Sequence, residues 1–200
     1  MSDREAQPTT ALPDDLQALQ QQFGAQVVAC RMAIDCPEAV VERSAIVEIC
    51  HFLRGRLGYD QLIDICGVDM SEHPDHQPDQ PRFEVVYHLL SVSDHKRIRI
   101  KTRLDEREFV DSVTEVWPAA DWFEREAFDM FGIIFNHHPD LRRILTDYGF
   151  EGYPLRKDFP VTGRVELFYD EEERRCVYRP IALENRVLTP KAWPEEHLRG

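Results

Sequence analysis

Beyond Asn136 the chain loses every period that helices and strands need. Pro139, Pro154, Pro160, Pro180, Pro190 and Pro194 interrupt it, each removing a backbone donor and barring the α region to the residue before it. Yet the same stretch holds Tyr148, Phe150, Tyr153, Phe159, Phe168, Tyr169, Tyr178 and Trp193, a content of large aromatics foreign to disordered tails. Roughly sixty residues without a period are hard to place inside one compact domain. The expectation is an extended, largely irregular docking arm over residues 137–200, in which aromatic and Arg side chains supply most of the interface energy.

Upstream the periods are clear. Leu12, Leu16, Leu19 and Phe23 recur at helical spacing after a flexible tail, residues 1–12, with Gly24 as the stop. Gln26–Ile34 is predicted as a strand. A helix is expected from Pro37, with Val40, Val41, Ala45, Ile46, Ile49 and Leu53 as its apolar stripe. Tyr59–Val68 and Arg82–Val92 are predicted strands joined by a polar, proline-rich hairpin loop at 71–81. In Lys96–Leu104, Arg97, Arg99, Lys101 and Arg103 alternate with Ile98, Ile100, Thr102 and Leu104, the pattern of a strand with one solvated face. Two helices are expected next, one capped by Asp105 and carrying Phe109 to Trp117, the other over about 119–131 with Gly132 as its terminating turn. A short strand follows. The class predicted is α+β, a mostly antiparallel sheet covered by helices over residues 13–136, followed by the arm.

The net charge of -13 excludes a general nucleic-acid surface, which needs clustered Lys and Arg. The one dense basic stripe, Arg97 to Arg103, lacks the interleaved aromatics of a single-strand groove. Five scattered cysteines, Cys30, Cys36, Cys50, Cys66 and Cys176, have no CxxC spacing and are expected to be packed thiols in a reducing compartment. No window approaches the roughly 20 apolar residues of a membrane span, and the N-terminal residues lack a secretory apolar core. No GxGxxG or Walker-type loop is present.

Three chemistries compete in the run Trp122–Pro160. Glu124, Glu126 and a nearby histidine could do acid/base work, but no nucleophile or histidine sits at a spacing that demands it. His137 and His138, or His73 and His76, are paired without the further ligands that zinc requires. The third is docking. Glu124, Arg125, Glu126 and Asp129 share a helix, with Arg125 and Asp129 at i,i+4. His138, Asp140, Arg142, Arg143, Tyr148, Tyr153, Arg156, Lys157, Asp158 and Phe159 then mix aromatics with balanced charge, which suits a polar, well-packed interface of Arg–carboxylate contacts. These fourteen residues are the expected partner interface.

The motifs in that run are also specific. Glu124–Arg125–Glu126, then Asp129-Met-Phe-Gly132, His138-Pro-Asp-Leu-Arg-Arg143 and Gly152-Tyr-Pro-Leu-Arg-Lys-Asp-Phe-Pro160 occur in order. Together they closely resemble the 30-kilodalton-type subunit, or C subunit, of the proton-pumping NADH:quinone oxidoreductases (respiratory complex I). The resemblance implies a non-catalytic structural subunit of the peripheral arm, beside subunits D, B and I. It implies no cofactor in this chain, with FMN and iron–sulfur clusters in other subunits, and electron transfer from NADH to a quinone coupled to proton translocation. It further implies a peripheral position on the cytoplasmic side of a bacterial inner membrane, held by partners. The same motifs admit the equivalent subunit of a membrane-bound hydrogenase or ferredoxin-using relative. A free-standing acid/base enzyme is the alternative from another class.

Overall fold

The computed structural model describes residues 12–181, except Asp75 and Pro78; the expectations for the N-terminal tail and for the last residues of the arm lie outside the described residues. Two units are distinguished, one ending at Lys157 and one beginning at Asp158.

The first unit is built on five strands: β1 (Val27–Met32), β2 (Pro37–Val41), β3 (Gln61–Asp69), β4 (Phe83–Ser91) and β5 (Lys96–Leu104), in the order β1-β2-β5-β4-β3. All neighbours are antiparallel except β2 and β5. The alternation expected of β5 holds: Ile98, Ile100 and Leu104 lie in the core with Phe83, Val85, Tyr87 and Leu89 of β4. Helices α1 (Asp14–Phe23) and α2 (Ile46–Gly55) join that core through Leu16, Leu19, Ile46, Ile49 and Leu53. On the opposite sheet face the basic stripe is not a free positive surface. Lys101 bridges Glu38 (3.2 Å) and Glu84 (3.1 Å), Arg103 pairs with Glu84 (3.1 Å), and Arg99 pairs with Glu38 (3.3 Å) and Asp35 (2.6 Å). Carboxylates from the neighbouring strands neutralise most of the stripe, and Arg97 stays exposed.

Two expected helices are corrected. Residues 37–41 are β2, because the slot between β1 and β5 selects the period-2 face of Ala39 and Val41 over the helical stripe; the helix starts only at Ile46. Residues 105–117 are also not helical. Phe109–Asp111 (β6) pairs in parallel with Ile134–Asn136 (β7), and the chain then turns tightly from Val113 to Trp117. In both cases a strand distant in sequence outweighs local spacing.

Helix α3 (Ala120–Phe131) stands where expected, and Gly132 ends it at φ 75°, the left-handed conformation that favours glycine. It packs on β3, where Gly67 leaves room: a Cβ there would come within 2.6 Å of the Phe131 ring.

The expected arm is divided between the two units. Residues 137–157, here called the strap, belong to the first unit. The second unit, within its described residues, is not wholly irregular: β8 (Val165–Asp170) and β9 (Arg175–Pro180) form an antiparallel hairpin. Its register puts Val165, Leu167, Tyr169, Cys176, Tyr178 and Pro180 on one face. On the other, Glu166 pairs with Arg179, whose guanidinium lies 3.8 Å from the Phe168 ring centroid.

Candidate functional site

The strap and α3 meet at Asp129. Its carboxylate is fully buried, and Oδ2 accepts the backbone N–H groups of Ile144 (3.0 Å), Leu145 (2.7 Å) and Thr146 (2.8 Å). Oδ1 takes Arg143 Nη1 (2.8 Å) and the Thr146 hydroxyl. Three successive N–H groups converging on one oxygen make a nest for an anion, filled here by the chain's own side chain. Burial alone would raise this carboxyl's pKa, but the hydrogen bonds from Thr146, Arg143 and Ile144 outweigh it and hold the group far below the usual carboxylate range.

The arginines close the rest. Arg125 does not form the expected i,i+4 pair with Asp129; it donates to the carbonyls of Arg142 and Arg143 (both 3.2 Å) and lies over the Trp122 ring. Arg143 reaches the Gly152 carbonyl (3.0 Å) and stacks near Phe150 and Tyr153. Arg156 donates to the Phe131 carbonyl (2.6 Å) between the rings of Phe83 and Tyr153, 5.0 and 4.4 Å from their centroids. The Leu155 N–H donates to Met130 O (3.1 Å) and the Lys157 N–H to Asp69 (3.0 Å). Gly132 is needed beneath this stack: a Cβ would lie 2.6 Å from Arg156 Nη2 and 2.7 Å from the Tyr153 ring.

Glu124 and His138 form a separate, sealed pair. Both side chains are fully buried, with Glu124 Oε2 3.9 Å from His138 Nε2. Glu124 Oε1 accepts the Val113 N–H (2.8 Å), while Oε2 has no hydrogen-bond partner among the described residues. Burial pushes this carboxyl up to about 7, against the pull of Ser112 and the Val113 N–H. His138 Nδ1 accepts the Asp140 N–H (3.0 Å), which leaves Nε2 as the protonated nitrogen facing Asp121.

Of the expected interface residues, Glu124, Arg125, Asp129, His138, Arg143, Tyr153 and Arg156 are thus engaged within the first unit. Glu126, Tyr148 and Lys157 are exposed, and Asp140 and Arg142 pair with each other at the surface (2.7 Å). Asp158 and Phe159 open the second unit. Sequence reasoning missed Asp69 and Thr146. Asp69 holds Arg82 (2.7 Å) as well as the strap's Lys157 N–H, a role with no local signal 88 residues away in sequence. Among the described residues, no three His, Cys, Asp or Glu side chains gather as a metal site, and no helix is long and apolar enough to cross a membrane.

Against this geometry, a family model described as respiratory-chain NADH dehydrogenase, 30 Kd subunit, matches residues 39–165. The chain belongs to that family. It is a subunit of the multisubunit respiratory complex I assembly. Among curated relatives of this 30-kilodalton subunit, the NADH-quinone oxidoreductase C subunit of Laribacter hongkongensis is 50% identical over 163 residues, 80% of this chain and 84% of that one. The protein of the same name from Burkholderia thailandensis is 47% identical over 186 residues, 91% and 93% of the two chains. A solved trypsin-resistant fragment of Nqo5 superposes with a TM-score of 0.56 at 30% identity, covering 64% of this chain and 99% of that fragment. A structure of the archaeal membrane-bound sulfane sulfur reductase gives a TM-score of 0.59 at 24% identity, covering 72% and 83%, a likeness of fold alone.

Proposed function

We propose that the chain is a non-catalytic structural subunit of the peripheral arm of a proton-translocating NADH:quinone oxidoreductase, seated against the subunits corresponding to D, B and I. FMN and the iron–sulfur clusters belong to other chains, and partners hold this one at the cytoplasmic face of the bacterial inner membrane. The interface includes α3 and the strap in the first unit and, in the second unit, Asp158 and Phe159. The observation that carries this reading is the family match over residues 39–165, which includes α3 and the strap. The names of the two bacterial relatives support the NADH–quinone pairing over a hydrogenase-type assembly.

The acid/base alternative has one observation in its favour: a carboxyl held near neutral pH beside a histidine is the signature of a catalytic site. Against it, the Glu124 and His138 side chains are fully buried, and proton transfer to a substrate needs contact with it.

Affinity purification of the tagged chain from solubilised membranes tests the proposal. The fraction should carry NADH:quinone reductase activity together with flavin and iron–sulfur absorbance. A chain that migrates alone on a native gel refutes it.

A further inference from the structure

The strap is built inside out. A surface segment ordinarily turns its charges to water and its apolar side chains inward, whereas here Arg143 and Arg156 are turned in. Leu145 (63% exposed), Tyr148 (90%) and Leu155 (53%) are turned to solvent. The exposure of the two leucines is not slack. Leu145 is held by its own N–H on Asp129, and Leu155 by its own N–H on the Met130 carbonyl. The backbone bonds that close the strap therefore also aim these side chains outward, and a preorganised apolar surface binds without the cost of ordering it.

The charges around it show what fits. Glu126 and Glu151 are exposed and Asp147 is half-buried, and none of the three has a cationic partner among the described residues. A second copy of the chain would set these carboxylates against one another across a two-fold interface, on a molecule whose net charge is already -13. We infer that Leu145 and Leu155, held in place by these bonds, form with the exposed Tyr148 a docking surface for another subunit of the assembly, one presenting an apolar patch rimmed by Lys or Arg. The inward residues Asp129, Arg125, Arg143 and Arg156 are positioning residues for that surface. This rests on the seating against neighbouring subunits proposed above and says which side chains carry it.

The test is made with the full chain in its native membranes. The substitution set Leu145→Ser, Tyr148→Ser and Leu155→Ser should reduce the chain's recovery in the NADH-oxidising band on a native gel by about tenfold or more, the weight of a small group of interfacial anchors. The thermal midpoint of the isolated full-length variant should stay at the wild-type value, because all three side chains are exposed. Tyr148→Ala alone should give a several-fold loss, and Asp147→Lys with Glu151→Lys should also lower recovery. Met32→Ser with Ile34→Ser, exposed apolar positions at and beside the end of the opposite edge strand β1, should leave recovery unchanged. The inference is overturned if the triple variant is recovered like wild type, or if the Met32/Ile34 control falls equally. Wild type missing from the band would instead refute the proposed seating among the subunits on which it rests.

Discussion

Replacing Asp129 by alanine strips the strap of its main tether. Three backbone N–H groups, the Thr146 hydroxyl and the Arg143 guanidinium lose their acceptor at once. Hydrogen bonds to a charged partner contribute about 1.5–3 kcal/mol each, but the sum overstates the loss, since the half-buried strap can rehydrate its donors when it lifts. Breaking a buried pair by removing one partner costs about 3–5 kcal/mol, the range expected for the loss of this tether. The strap would then open roughly a hundred- to several thousandfold more often, at 1.4 kcal/mol per factor of ten. Trypsin cleavage after Arg142 and Arg143 should accelerate accordingly where reclosing outpaces cutting, with faster amide exchange at Ile144, Leu145 and Thr146. Asp129→Asn, which keeps one acceptor oxygen and loses the charge, should fall between the two. A carboxyl depressed on folding stabilises above its unfolded value, near 3.8, and loses that contribution as pH falls below it. Strap protection should therefore persist from about pH 8 to 5 and fail only in acid. Cleavage in Asp129→Ala within about threefold of wild type would refute the tether.

Glu124 has the opposite sign. Its carboxyl rises on folding from 4.5 to about 7, so the folded state holds its proton longer and stability falls as pH rises through that window, by about 3 kcal/mol. Glu124→Gln removes the titration: urea unfolding should show the variant gaining on wild type between pH 4.5 and 7, and a difference independent of pH would count against the buried carboxyl. Gly132→Ala should lower the thermal midpoint by about 5 °C or more, from about 1 kcal/mol of left-handed strain plus the displaced Arg156–Tyr153 stack; an unchanged midpoint would mean that the stack yields freely.

Where one face of an element meets water and the other the core, the sequence showed it plainly. The alternation of Arg97 to Leu104 identified β5, and the amphipathic run ending at Gly132 identified α3. The ordered motifs from Glu124 to Pro160 were enough for the family. Local spacing failed where a distant strand made the choice. Val41, Ala45, Ile46, Ile49 and Leu53 do lie on one helical stripe, and only the slot beside β5 turns 37–41 into a strand; Phe109 and Val110 likewise wait for Ile134 and Phe135.

The strap drew on both sources. Its prolines, aromatics and balanced charges established by composition alone that it must pack against protein, because an aperiodic segment so rich in large side chains cannot satisfy itself in water. Which side chains face in was decided only by the fold. Asp129 meets Thr146 because α3 turns at Gly132 and the chain doubles back along it, and Asp69 reaches Lys157 from the far end of β3. Those closures draw the arginines inward and leave Leu145, Tyr148 and Leu155 in solvent. Charge and hydrophobicity are properties of each residue, but the side to which each is turned depends on backbone hydrogen bonds made with partners remote in sequence.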